Sequence, residues 1–414
     1  MPPVDGQHRQ EISVSRETQP APDLSSVPVQ REAGGVLRRR SLIVELAVLL
    51  LGLLSVGAGP VVFRSGHEHP IRLSAGQSQA LLEEKTGPSI AASSAILVDH
   101  QGGAVLWSKN AEEARAPAST TKMMTVLTAM ESLKPEQVVT VPAAALVGGS
   151  SMGLSAGDHV GVEALLHGAL LPSGNDAAMT LALAAAGSEQ SFVQRMNENA
   201  TKWGLKETQF VNPHGLDASG QVSSARDLAE MGRRILAKPV LADIVRKAKA
   251  RIDGYQLTST NELLTSYDGA YGVKTGTTDM AGQVLVAAAA SDDGDALTVV
   301  MNSPDRFAEA RRLLEFYFQH WQWVDSPLGT DVLSLVHAPD GAAYVAQTPS
   351  QPLFLSRWQV QNLRFFRNLS FDEQNQPSGI LETWFGSEKL AETAMSFTLL
   401  HPAPIPTATS TPTQ

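Results

Sequence analysis

The chain has 414 residues, 43% of them apolar and 18% charged, with a net charge of −10. That is the composition of a globular chain of two or three domains, and the acidic balance argues against a dedicated nucleic-acid binder. Because cysteine is absent, disulfides, thiolate nucleophiles, zinc–thiolate sites and iron–sulfur clusters are excluded, and covalent chemistry must come from Ser, Thr or Lys.

Residues 1–37 are polar and aperiodic and read as a disordered cytoplasmic tail. Arg38-Arg39-Arg40 then opens an apolar run from 41 to 63 whose only charge is Glu45. A bilayer crossing needs about 20 residues, and arginines before the run keep the N-terminus inside. Residues 38–63 are therefore expected to be an uncleaved single-pass signal-anchor helix, with the rest of the chain extracytoplasmic. Residues 64–90 read as a linker holding a short helical piece at 77–84.

From Ala91 the pattern becomes that of a packed domain. Residues 94–99 and 104–108 read as strands joined by Gln101-Gly102-Gly103. Helices are expected at 119–132, 163–171, 176–186, 190–204 and 225–236. Strands follow at 272–275, 283–290 and 297–301, then an amphipathic helix at 306–321. This order gives an α+β domain over residues 91–328, a largely antiparallel sheet sandwiched by helices. Beyond it, alternating runs at 331–336, 343–347, 353–355, 379–386 and 390–400 predict a small all-β domain over 329–401. Residues 402–414 are a Pro/Thr-rich tail expected to be disordered.

Ser119-Thr120-Thr121-Lys122 opens a predicted helix just after Pro117. A Ser and a Lys three apart share one helix face. A desolvated Lys amine near a second cation loses basicity and can take the Ser proton, while the helix start offers N–H groups to an oxyanion. Ser173-Gly174-Asn175 falls in a tight loop between two predicted helices, and Lys274-Thr275-Gly276 heads a strand whose edge can face an extended peptide. Single motifs of this kind recur by chance: Ser108-Lys109-Asn110, Ser259-Thr260-Asn261 and Lys85-Thr86-Gly87 are also present. Order and context favour the trio, which is shared by class A β-lactamases and penicillin-binding proteins.

Residues 90–325 resemble the D-alanyl-D-alanine carboxypeptidases among the low-molecular-mass penicillin-binding proteins. The resemblance rests on Ala116-Pro117-Ala118-Ser119-Thr120-Thr121-Lys122-Met123-Met124-Thr125 and on Pro172-Ser173-Gly174-Asn175-Asp176-Ala177-Ala178. It extends through Asn212-Pro213-His214-Gly215-Leu216-Asp217, Ser223-Ser224-Ala225-Arg226-Asp227-Leu228-Ala229 and Gly272-Val273-Lys274-Thr275-Gly276-Thr277-Thr278. It implies a serine β-lactamase-like fold and a serine peptidase that removes the terminal D-Ala from peptidoglycan stem pentapeptides. It also implies inhibition by β-lactams and no metal or organic cofactor.

The resemblance assigns roles as well. Ser119 attacks the carbonyl of the penultimate D-Ala, Lys122 is its base, and Ser173 passes the proton to the leaving amine. Asn175 holds the peptide backbone, Lys274 depresses the pKa of Lys122, and Thr275 with Arg306 binds the terminal carboxylate. Gly276 lies on the substrate-binding strand, and the N–H groups of Ser119 and Thr277 face the oxyanion. His214 is expected to be a turn residue supporting the cleft, and Asp176 a helix-terminal acid. Two alternatives carry different requirements. A β-lactamase needs a base for its deacylating water, and Glu207, Glu230 and Glu262 have no motif context. A non-catalytic wall-binding scaffold has no use for Lys122 or Lys274. Family members are commonly anchored by a C-terminal amphipathic helix, whereas here the expected anchor is N-terminal.

Overall fold

The computed structural model of the chain describes residues 71–325 and 334–402. The disordered tail expected at 1–37, the signal anchor expected at 38–63 and most of the tail expected at 402–414 lie outside the described residues. Among the described residues no helix is long and apolar enough to cross a membrane.

Strands β1 (Ser94–Asp99) and β2 (Val105–Lys109) form the expected hairpin. Two short hairpins follow, β3 (Val138–Thr140) with β4 (His159–Gly161), and β5 (Lys249–Ile252) with β6 (Tyr255–Thr258). A meander of β7 (Ala270–Thr278), β8 (Gly282–Ser291) and β9 (Gly294–Ser303) completes the main sheet. Its order is β2-β1-β9-β8-β7, antiparallel throughout, so β7 is an edge.

Period-two alternation explains why β1 is buried along its whole length. Ile96 and Val98 face one core with Val284, Val286 and Val299, while Ala95 and Leu97 face a second with Leu285, Ala287 and Val300. The first core is covered by helices Lys122–Ala129 and Ala225–Leu236, the second by helix Arg306–His320. Each fully buried Leu or Val contributes about 1.5–3 kcal/mol.

Helices Val162–Leu170, Asn175–Ala186, Glu189–Lys202 and Ala225–Leu236 match the expected ones within two residues. The helix expected at 119–132 needs correction. Ala118 has φ +49°, outside the right-handed region, and the chain first winds a 3₁₀ turn, Ala118–Thr121, before the α-helix Lys122–Ala129. The last helix stops at His320, because Trp321 already pairs with Ser356. The β5–β6 hairpin was not anticipated, although Asp253-Gly254, with φ +50° and +82°, is a strong two-residue turn signal.

The C-terminal region runs through β10 (Trp321–Val324), β11 (Leu335–His337), β12 (Ala343–Gln347) and β13 (Leu353–Ser356). After one helical turn, Arg357–Val360, come β14 (Leu363–Phe371), β15 (Pro377–Phe385), β16 (Glu388–Ala394) and β17 (Ser396–His401). Three small antiparallel sheets result: β11-β12-β17 and β14-β15-β16 share a core of Val336, Tyr344, Ala346, Leu381 and Met395, while β10-β13 sets Trp321 and Phe354 against the second core of the main sheet. The run expected at 390–400 is two strands. Met395 is buried, donates its N–H to Gly379 O, and marks where the chain leaves one sheet for another. Strand β14 was missed because it is a largely exposed edge without apolar alternation.

Helix Ala75–Thr86 is longer than its expected 77–84 core and is docked at its C-terminal end. Glu84 accepts from Ser356 Oγ and Trp358 Nε1, each at 3.0 Å.

Candidate active site

Ser119 lies in the 3₁₀ turn, half-buried, between buried Ala118 and Thr120. The turn is held by Thr120, whose hydroxyl donates to Pro117 O at 2.6 Å. One turn on, Lys122 is fully buried, and its Nζ donates to Ser119 Oγ at 2.9 Å and to His214 O at 2.6 Å. Both contacts leave the amine lone pair, once a proton is lost, directed at the serine hydroxyl. The loop carrying His214 O sits tightly on this turn. Gly215 has φ +84°, and a Cβ there would stand 2.1 Å from Ala118 O.

Ser173 is buried in the loop between helices Val162–Leu170 and Asn175–Ala186 and has φ +66°, an unusual state for a non-glycine residue. Its Oγ accepts from Lys274 Nζ at 2.8 Å. Asn175 donates Nδ2–H to Gly148 O at 2.6 Å, while its Oδ1 is buried without a partner and so stands ready for a donor. Asp176 accepts from the N–H groups of Met152, Gly153 and Leu154 and from Ser151 Oγ. It fastens the loop that supplies Gly148 O, in keeping with its expected role as a helix-terminal acid.

Edge strand β7 closes the site. At Gly276 an added Cβ would come 2.9 Å from Ser119 N and 3.1 Å from Thr120 N, so the strand backbone lies directly on the nucleophile turn. Thr275 is buried and its hydroxyl lies 2.5 Å from that of Thr260. Thr277 is exposed, and Arg306, the first residue of helix Arg306–His320, donates from Nη1 to Thr277 Oγ1 at 2.7 Å and to Gly276 O at 3.0 Å.

Burial dominates the electrostatics. Desolvation first, then the Lys274 charge, holds the Lys122 pKa well below its ordinary value, with Asp176 opposing. Lys274 is lowered to about 7 by burial and by Arg306. His214 falls to about 4 through burial and Lys122, so near neutral pH its imidazole carries no charge; Nδ1 accepts from Leu216 N–H. An amine that has lost its charge beside a hydroxyl is chemically able to act as a general base, and a hydroxyl bonded to a second lysine is chemically able to relay a proton.

Ser119, Lys122, Ser173, Asn175, Lys274, Thr275, Gly276, Thr277 and Arg306 are thus gathered at one cleft edge. The stray motifs differ in fate. Lys85 ends a helix, and Lys109 and Asn110 bond Ile90 O and Ser93 O. Ser259-Thr260-Asn261 instead flanks β7. Among the described residues neither Glu207 nor Glu262 bonds to Ser119, Lys122 or Ser173, and Glu230 is ion-paired with Arg234 at 2.8 Å. No group of three His, Asp or Glu residues among the described ones could hold a metal. Sequence reasoning missed the carbonyls of His214 and Gly148, because a backbone acceptor carries no residue signature.

The fold with its sheet-edge lysine and helix-borne serine defines the class of penicillin-binding proteins with a serine β-lactamase-like fold. The solved penicillin-binding protein 6B of Escherichia coli superposes with a TM-score of 0.60 and 31% identity, covering 74% of this chain and 96% of that one. The family described as D-alanyl-D-alanine carboxypeptidase matches residues 82–305, and the chain belongs to that family. The D-alanyl-D-alanine carboxypeptidase DacF of Bacillus subtilis is 37% identical over 247 residues, 56% of this chain and 63% of the relative. DacC of Escherichia coli is 38% identical over 261 residues, 59% of this chain and 65% of the relative. The chain therefore matches just under two thirds of the length of these curated relatives.

Proposed function

We propose that the chain is a serine D-Ala-D-Ala carboxypeptidase that trims peptidoglycan stem pentapeptides through an acyl-enzyme on Ser119. The observation that carries this reading is the fully buried Lys122 amine, lowered in pKa and bonded to Ser119 Oγ. Uncharged Lys122 takes the Ser119 proton as Oγ attacks the carbonyl carbon of the penultimate D-Ala. The oxyanion faces the N–H groups of Ser119 and Thr277. The proton passes through Ser173 to the leaving amine, and terminal D-Ala departs. Asn175 Oδ1 accepts from the peptide backbone, and Thr275 and Arg306 hold the terminal carboxylate, a role suited to a guanidinium fork. Water then cleaves the ester and restores Ser119. A β-lactam forms the same ester through ring opening, which makes it an inhibitor. The apolar run at 41–63 after Arg38-Arg39-Arg40 supports a single-pass anchor with the catalytic region outside the cytoplasmic membrane of a bacterium.

Intact-mass measurement of the protein with benzylpenicillin, beside Ser119→Ala, tests the reading. A persistent adduct of one drug mass on the unaltered protein alone, with D-Ala released from a synthetic pentapeptide, is the expected result. Rapid drug hydrolysis with no lasting adduct points instead to a β-lactamase, and no adduct in either sample to a scaffold. Protease access to the catalytic region in spheroplasts but not in intact inverted vesicles tests the topology.

A further inference from the structure

A further Ser-x-Asn segment, Ser259-Thr260-Asn261, lies beside the residues of the candidate site. Thr260 N–H donates to Leu171 O at 3.1 Å, two residues before Ser173, and Asn261 Nδ2 donates to Gly272 O at 2.8 Å, two residues before Lys274. The segment thus ties the Ser173 loop to strand β7. Between these anchors the Thr260 and Thr275 hydroxyls lie 2.5 Å apart.

Each hydroxyl has one proton, so the pair has two arrangements. Thr275 can donate to Thr260, which then donates to Leu171 O, 3.4 Å away and already bonded to Thr260 N–H. Alternatively Thr260 donates to Thr275, and the Thr275 proton is free to point outward. Only the second offers a donor to an anion. Thr275 and Thr277 alternate onto one face of β7, and Arg306 reaches that face at Thr277. The half-buried guanidinium makes no ion pair within 4 Å among the described residues, the Glu262 carboxylate acts on it only from longer range, and its Nε is buried without a hydrogen bond, so the group keeps capacity for an anion.

We propose that Thr260 is a positioning residue for the substrate's terminal carboxylate: it donates to Thr275 Oγ1 and so turns the Thr275 hydroxyl into a donor toward that carboxylate. The proposal rests on the carboxypeptidase reading and deepens it. Thr260 is exposed, so its replacement leaves the core untouched.

The test compares kcat and KM for a peptide ending in D-Ala-D-Ala with those for the same peptide as its C-terminal amide. With Thr260→Val, KM for the acid should rise about tenfold, the effect of one hydrogen bond to a charged group, with kcat nearly unchanged. Kinetics on the amide should stay the same. Thr260→Ser should restore the unaltered values, and Thr260→Val with Thr275→Val should be no worse than Thr275→Val alone. An active Thr260→Val protein with unchanged acid-over-amide preference, or effects that add in the double variant, would overturn this proposal alone. If the unaltered protein cleaves neither peptide, the carboxypeptidase reading fails and takes the proposal with it.

Discussion

Lys274 Nζ stands 2.8 Å from Ser173 Oγ, a contact that joins the edge strand to a loop 101 residues earlier in the chain. It brings a second buried amine close enough to Lys122 to disfavour that residue's charged form. The Lys274 charge is therefore, after burial, the second cause that holds the Lys122 pKa down.

Replacing Lys274 by Met removes one of the two causes that lower the Lys122 pKa. Lys122 then keeps its proton to higher pH, and the rising limb of the acylation profile should move upward. Penicillin acylation at neutral pH should also slow by about a hundredfold, the scale of a lost proton-transfer partner. Stopped-flow acylation rates between pH 5 and 10 check both. A slower rate with an unmoved limb would separate Lys274 from the tuning of Lys122.

The same shift governs stability. Lys274 binds its proton below about 7 in the folded chain and near 10.5 when unfolded. Between those values the unfolded state holds more protons, so this residue's contribution to stability rises with pH across that window. The Tm of the unaltered protein minus that of Lys274→Met should therefore grow from pH 7 toward pH 10. Calorimetry on the two proteins at matched ionic strength reads the difference directly, and a flat difference would mean that the buried amine keeps its ordinary basicity.

Side chains at motif spacing were legible in the sequence because chemistry restricts their identity. Ser119 and Lys122 had to be three apart near a helix start, and Lys274 had to be on a strand. The turn geometry was not legible: a left-handed Ala118 has no residue signature, whereas Gly215 in the same contact does. The main sheet could be read because continuous apolar runs pass through β1, β8 and β9, as strands covered on both faces require. Strand β14 could not, because an exposed edge needs no such pattern. Thr260 carries no such signal in the sequence, since its partner Thr275 is adjacent in space but 15 residues distant in the chain.

Asp176 offers a test of loop support without touching the reacting atoms. Its carboxylate gathers three consecutive N–H groups and a hydroxyl, and the clasped loop supplies the Gly148 carbonyl that orients Asn175. Asp176→Ala leaves those buried donors unpaired, a loss of about 1–3 kcal/mol. Lower Tm and a higher KM for peptide should appear together, while Ser119 labelling at saturating penicillin still goes to completion. An intact KM would show that Asn175 holds its orientation without the loop.

Gly215 couples the Lys122 acceptor to the nucleophile turn. At φ +84° an alanine is strained, and its Cβ would meet Ala118 O at 2.1 Å, a backbone atom that cannot step aside like a flexible side chain. Gly215→Ala must therefore push the 212–217 loop away from residues 118–119 or distort the turn itself. Destabilisation on the order of 2 kcal/mol is expected, as for overpacking in a close-packed site. Because the displaced loop carries His214 O, Lys122 Nζ loses the acceptor at 2.6 Å that fixes its direction. The acylation rate should fall by more than the stability loss accounts for when measured well below the Tm. Asp217→Asn serves as the control in the same loop: it sits where Thr278 Oγ1 and Met280 N–H bond its carboxylate, with no contact to the turn. A Gly215→Ala protein that acylates at the unaltered rate would show that the His214 carbonyl does not set the direction of the Lys122 amine.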